Sequence, residues 1–328
     1  MNIYILTSSL PLLYAVELQK KYQENSICFI CNSIVGSYSK SELELAHNTF
    51  FKVFIISDMF GLYNILKNYL FITSKLHKIN IENLYVGNIG VNLLALMYNR
   101  LKANKKYIIE DGTSTIPFSE FGHNYYNNEK SFYIKNFLKH LFFLEKKVHK
   151  LISIYDISNS ILETEVISLS FLLNKDVILN NDLLILGGPQ LNLNQMDAQT
   201  IEESIERLIA LHKKKYKINK VIYRPHPREN MFDVQKLIER FNMILFQNNS
   251  KHTVFELYYA NAKEFPIYVC SLFPSSALLS LCKIDKRLQL TSYDFNKNEI
   301  YPNHQDESMI ISKKLKELNL INFYRYNK

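Results

Sequence analysis

A chain of 328 residues is long enough for two nucleotide-binding-sized α/β domains and long for one simple domain. With 47% hydrophobic and 21% charged residues it is no disordered chain, and no apolar run nears the roughly 18 residues a bilayer span needs, which excludes an integral helical membrane protein. The net charge of +8 points to an anionic partner: nucleic acid, a membrane surface or a phosphorylated small molecule. No nucleic-acid motif of known spacing is present.

In chain order, residues 1–7 lack the basic region of a secretory signal and read as a first strand, which places the protein in the cytoplasm. Short β-rich runs at 3–6, 27–31, 53–56, 84–86 and 107–109 alternate with amphipathic stretches of helical length at 10–22, 41–49, 60–77 and 91–103. Such alternation predicts a parallel sheet covered by helices on both faces. Cys28 and Cys31 form a C-x-x-C within the second strand. Three-residue spacing there turns the two thiols to opposite faces, which favours buried thiols over zinc or redox chemistry, and the four cysteines suit a reducing compartment.

A lysine- and aromatic-rich segment, 124–150, separates this series from a second one, with strands at 183–186, 221–223, 244–246 and 267–270 and helices at 198–213, 231–241 and 275–283. The expected architecture is α/β of the GT-B kind: Rossmann-like domains over 1–170 and 175–328, with a ligand cleft between them at the carboxyl ends of the strands. Within the separating segment, residues 131–147 read as a helix with Phe137, Leu141 and Leu144 on one side and Lys135, Lys139 and Lys146 around it. Such a helix suits an anionic inner-membrane surface, packing on its own core, or exchange in a homodimer.

Three segments place polar residues directly after a predicted strand. Glu110-Asp111-Gly112 offers adjacent carboxylates, of which one can be a general base with a pKa raised by its neighbour; the alternative is a turn in which an aspartate caps a helix. Arg224-Pro225-His226-Pro227-Arg228 holds a histidine between two prolines and two arginines, which suits a phosphate, or else is a solvated loop. Pro274-Ser275-Ser276 opens a helix with free N–H groups and two hydroxyls, a phosphate site or an ordinary serine cap.

In their order and spacing these segments resemble glycosyltransferase family 52, the bacterial lipooligosaccharide and capsule sialyltransferases. That family carries an acidic pair before Gly-Thr, a His-Pro-Arg and a Phe-x-Ser or Ser-Ser turn. The resemblance also covers the strand and helix of 84–100 and the turn Gly187-Gly188-Pro189, and runs from about residue 3 to residue 283. It implies an inverting, single-displacement transfer of sialic acid or a related nonulosonate from its CMP donor to a hydroxyl of a lipooligosaccharide or capsule glycan, with no cofactor. His226 would stabilise or protonate the departing CMP phosphate, Ser275 and Ser276 would hold it, and Glu110 or Asp111 would be the base. Gly112, Gly187, Pro189, Arg224, Pro227 and Arg228 would line the donor site, and Glu256 would bind the donor's ribose or base.

One departure stands out. Gln190 occupies the place where a relative carries an aspartate after the Gly-x-Pro turn, and an amide takes up no proton at neutral pH, so the base role moves to the acidic pair. The chain contains no Asp-x-Asp, the usual carboxylate pair for a divalent ion on a nucleotide diphosphate, and a CMP donor has a single phosphate. The competing expectations are a GT-B hexosyltransferase using a UDP- or GDP-sugar and a non-catalytic binding protein of the same fold.

Overall fold

The structure, a computed structural model, describes residues 1–31, 38–57, 61–112, 115–117, 148–159, 161–188, 195–246, 254–273 and 275–325. Pro189, Gln190 and the amphipathic segment 131–147 lie outside these residues. The chain divides into two compact units, Met1–Phe171 and a second that begins at Leu172. Each is built on a sheet of parallel strands, and this pair of Rossmann-like units is the domain composition of a GT-B chain.

In the first unit β1 (Asn2–Leu6), α1 (Ser9–Tyr22), β2 (Ser26–Cys31), α2 (Lys40–Thr49), β3 (Lys52–Ile56), α3 (Leu62–Leu76), β4 (Asn83–Gly87), α4 (Asn92–Arg100) and β5 (Lys105–Ile109) follow one another, and β6 (His149–Ser153) and β7 (Leu162–Val166) complete the sheet. The order is β3-β2-β1-β4-β5-β6-β7. The chain starts at β1, builds outward on one side, then crosses back to pair β4 against the other side. Strands β1 and β2 are buried at every residue, as befits parallel strands covered on both faces, whereas the edge strand β3 exposes Lys52 and Ile55. Cys28 and Cys31 are both buried free thiols on β2.

The rings of Tyr4, Tyr85 and Tyr107 stack across β1, β4 and β5 with centroids 4.7 and 4.8 Å apart. Each ring belongs to a directly paired residue of its neighbour strand. Cross-strand aromatic pairs contribute about 0.5–1.5 kcal/mol each beyond the area they bury, and here they also pin the register of the three central strands.

The second unit repeats the scheme with β8 (Ile178–Leu186), α5 (Ala198–Lys215), β9 (Val221–Arg224), α6 (Met231–Phe241), β10 (Ile244–Leu245), α7 (Phe255–Asn261), β11 (Glu264–Ser271), α8 (Ser276–Ile284), β12 (Gln289–Tyr293), α9 (Pro302–Glu317) and β13 (Asn322–Tyr324). Its order is β10-β9-β8-β11-β12-β13, so the topological switch falls between β8 and β11. Helix α5 starts at Asp197, whose side chain accepts the Thr200 N–H at 2.8 Å. Its buried stripe of Ile201, Ile205, Leu208 and Ile209 joins Leu183, Ile185 and Tyr223 in one core. The outer strands β6, β7, β12 and β13 and the helices α7 and α9 are additions to the elements expected from periodicity.

Gly87 closes β4 where α1 crosses it. A Cβ there would lie 2.8 Å from Pro11 Cβ and 3.1 Å from its Cγ, and the proline ring has no rotamer by which to yield. Gly87→Ala is expected to lower the unfolding free energy by about 1–3 kcal/mol. Urea denaturation should show a reduced midpoint with an unchanged slope.

Candidate active site

Strands β1, β4 and β5 end side by side, and the residue or two beyond each brings one polar group to a shared place. Ser8 Oγ donates to Asp111 Oδ1 at 2.5 Å across 103 residues of sequence. Asn88, held in the left-handed region at φ 51°, donates its side chain to the same carboxylate. Tyr38 donates its hydroxyl to the Ser8 carbonyl at 3.0 Å. Gly112 follows at φ 75°, a conformation glycine adopts without strain, and turns the chain away immediately after Asp111. Burial pushes the Asp111 pKa up, and the bonds from Ser8 and Asn88 oppose the rise. The residue as a whole is half-buried.

Glu110 faces the other way, as neighbouring residues at a strand end must. It is 1% exposed and accepts bonds from the Ser153 hydroxyl and from the Ile154 N–H at 3.4 Å, which tie β5 to β6. Burial pushes its pKa up to about 7 against those bonds. Of the two residues, Glu110 is the more enclosed.

In the second unit the polar groups gather at the ends of β8, β9 and β11. The Gly187 N–H donates to the Arg224 carbonyl at 2.8 Å. Glu229 clamps the loop that follows β9: its carboxylate accepts the Tyr223 hydroxyl at 2.7 Å and the His226 N–H at 2.5 Å, while its own N–H donates to the His226 carbonyl at 2.9 Å. A Cβ on Gly187 would collide with the Glu229 carboxylate and lie 2.7 Å from the Tyr223 hydroxyl, so the clamp needs a glycine on β8's end. Burial raises the Glu229 pKa to about 7.

The clamp presents a half-buried imidazole. His226 Nδ1 accepts the Arg228 N–H at 3.2 Å, so the ring proton of the neutral form sits on Nε2. Burial, then the charges of Arg228 and Arg224, lower its pKa to about 4. The Arg224 guanidinium lies 4.6 Å from the Phe255 ring centroid, and the buried carboxylate of Glu256 supports its charge. Pro227 and Arg228 are exposed.

At the end of β11, Ser275 caps α8, its hydroxyl accepting the Leu278 N–H at 3.2 Å. Ser276 and Ala277 then offer helix-opening N–H groups with no intrahelical acceptor. The hydroxyl of Ser271, buried at the last position of β11, meets no hydrogen-bond partner among the described residues. Sequence reading missed Ser8, Asn88, Ser153 and the clamp role of Glu229. Only Glu229 had a visible signal, a carboxylate three residues after His226.

No family model matches the chain, and no curated protein sequence matches it. Among solved structures it is similar to an α/β-galactoside α-2,3-sialyltransferase from the luminous marine bacterium Photobacterium phosphoreum, with a TM-score of 0.58 and 12% identity over 99% of this chain and 97% of that one. Weaker likenesses are to a protein assigned as a UDP-N-acetylglucosamine 2-epimerase from Listeria monocytogenes (TM-score 0.48, 12% identity, 97% of this chain and 87% of that one) and to a family 9 glycosyltransferase from Veillonella parvula (TM-score 0.33, 12% identity, 90% and 76%). At such identity the likeness shows the fold. The chain shares the two-domain fold of the Photobacterium enzyme.

The depressed pKa of His226 has a definite sign. An unfolded chain takes up the proton near the ordinary value of 6.5 and the folded one near 4, so stability is lost as pH falls between them. NMR titration of the imidazole should give a midpoint near 4, and the stability of His226→Ala relative to the wild type should rise as pH falls from 6.5 to 4. Glu229→Ala, which leaves the Tyr223 hydroxyl and the His226 N–H without their acceptor, should cost about 1–3 kcal/mol.

Proposed function

We propose that the protein is an inverting glycosyltransferase of the family 52 kind, moving sialic acid or a related nonulosonate from its CMP donor to a hydroxyl of a bacterial lipooligosaccharide or capsule glycan. The observation that carries this reading is the neutral His226 imidazole, its Nδ1 already occupied and its Nε2–H available beside Arg224 and Arg228. A group that departs as a phosphate monoester needs donors aimed at growing negative charge, and a neutral N–H flanked by cations supplies them in a partly dry setting. The fold shared with a galactoside sialyltransferase supports a galactose-bearing acceptor.

In this reading the second unit holds the donor. The phosphate takes bonds from His226 Nε2–H, the Ser276 hydroxyl and the N–H groups that open α8, with Arg224 and Arg228 as counter-charge; Glu256 serves the ribose or base through Arg224's neighbourhood. Ser275 acts by fixing the helix terminus through its cap. The first unit supplies the base. Asp111 takes the proton from the acceptor hydroxyl, the oxygen attacks the anomeric carbon, and the bond to the CMP phosphate breaks on the opposite face. Ser8 and Asn88 aim the Asp111 carboxylate, and burial raises its basicity towards the task.

Transfer assays on purified protein test the roles. Asp111→Asn should keep CMP binding and lose turnover about 10²- to 10⁴-fold, while Glu110→Gln, an isosteric change inside the sheet, should stay active. His226→Ala should lose a similar factor. CMP should bind more tightly than UMP or UDP, and Ser276→Ala should weaken it roughly 5- to 100-fold. Full activity in Asp111→Asn and His226→Ala would reject the mechanism, and turnover of UDP- or GDP-hexoses in place of CMP donors would assign the fold to hexosyl transfer.

A further inference from the structure

The His226 loop is braced by a carboxylate that takes no part in the proposed transfer. Tyr223 is fully buried in the core of the second unit, and its strand is paired on both sides, with Ile185 of β8 and Leu245 of β10 opposite it. Its hydroxyl donates to Glu229 Oε1 at 2.7 Å, and the other oxygen, Oε2, accepts the His226 N–H at 2.5 Å. The Glu229 N–H closes the turn by donating to the His226 carbonyl at 2.9 Å. One carboxylate therefore connects a rigid strand to the peptide that carries the imidazole. Pro225 and Pro227 fix φ on either side, and a residue before proline is confined to extended backbone, so little freedom is left to His226 once its N–H is held.

The ring follows the turn. The Arg228 N–H that meets His226 Nδ1 at 3.2 Å lies inside the four residues that Glu229 closes. With a backbone donor held against Nδ1, a proton on that nitrogen would set donor against donor, and the Nε2–H form is selected. Glu229 does this by geometry and not by charge. The proton affinity of the imidazole is lowered by burial and by Arg228 and Arg224, and Glu229 is not among the groups that shift it.

We propose that Glu229 is a positioning residue for His226: by bracing the turn from His226 to Glu229 against Tyr223 it fixes the imidazole in the one tautomer that can donate from Nε2 to a departing phosphate. Its value to the reaction rests on the role proposed for His226, whereas its hold on the ring does not. The geometry makes a specific demand on the side chain at position 229. It must accept from a backbone N–H, which cannot reverse its role, and meet a phenol, which can act as donor or acceptor. Glutamine meets both conditions, with its amide oxygen on the His226 N–H and its NH2 donating to the Tyr223 hydroxyl. Alanine meets neither.

The experiment combines nitrogen NMR of the His226 ring at neutral pH, which needs no substrate, with steady-state transfer from CMP-N-acetylneuraminic acid, on the full-length wild type, Glu229→Ala, Glu229→Gln and Tyr223→Phe. Expected are a single Nε2–H tautomer in the wild type and, in Glu229→Ala, ring-nitrogen shifts that move towards one another as the second tautomer is populated. In that variant kcat should fall about 10- to 100-fold while the donor KM changes less than about threefold. Glu229→Gln should restore the wild-type ring signals and bring kcat to within about threefold of wild type, and Tyr223→Phe should lie between. If Glu229→Ala does not fold, Gly187→Ala displaces the brace by another route, because its Cβ would enter the space of the Glu229 carboxylate, and the same change in the ring is expected. Wild-type ring signals in the folded Glu229→Ala or Gly187→Ala, or a Glu229→Gln no better than Glu229→Ala, would overturn the proposal. Absence of transfer from CMP donors in the wild type would reject the function proposed for the site, and the NMR comparison would still decide whether Glu229 holds the ring.

Discussion

Stacking of Tyr4, Tyr85 and Tyr107 settles where three parallel strands stop. In a sheet with a side-chain period of two, a slip of one residue would turn each ring to the opposite face, so the ladder tolerates a single register. That register sets the ends of β1, β4 and β5 level with one another and lets Ser8, Asn88 and Asp111 meet beyond them, although they come from distant parts of the chain. The second unit reaches the same result by a different device. There the Glu229 carboxylate binds the β9 strand through Tyr223 and the following loop through the His226 N–H, and Gly187 leaves it the room to do so. Both devices lie just behind the polar groups at the strand ends.

The electrostatic character of the two strand-end sites is opposite. In the first, burial raises the affinity of Asp111 for a proton and hydrogen bonds oppose that rise, which suits the base role proposed for it. In the second, burial and two arginines keep His226 uncharged, so that under the proposed function a donor phosphate would meet cations and a neutral N–H. Adjacent residues in sequence are also separated by their surroundings. Glu110 and Asp111 share a peptide bond, but one is spent joining β5 to β6 and the other meets Ser8 beyond the end of β1.

Much of this was legible before the structure. The central strands announce themselves as apolar runs, and the polar segments after β5, β9 and β11 are marked by Gly112, by Pro225 and Pro227, and by Ser275-Ser276. Less legible were the outer strands. Leu162–Val166 reads Leu-Glu-Thr-Glu-Val and Gln289–Tyr293 reads Gln-Leu-Thr-Ser-Tyr, polar mixtures in which burial on one face is set by tertiary packing. Helix α9 likewise buries Ser308 and Ser312 beside Ile311 and Leu315, a stripe that hydrophobicity alone does not pick out. Ser8 and Asn88 could not be foreseen, because nothing local distinguishes a serine or asparagine that will meet a carboxylate on another strand. The exposed face of α3 had the opposite problem: its leucines look like core residues until the structure shows that the core lies on the other side.

The proposed reaction is a single inverting displacement from a CMP-linked sugar. The most direct measurement is an NMR time course of CMP-N-acetylneuraminic acid with a panel of glycan acceptors, following the anomeric configuration as CMP is released. The account predicts acceptor-dependent release of CMP and a product whose anomeric configuration is opposite to the donor's. A product that retains the donor's configuration, or CMP donors that stay intact while a UDP- or GDP-hexose is consumed, would contradict it.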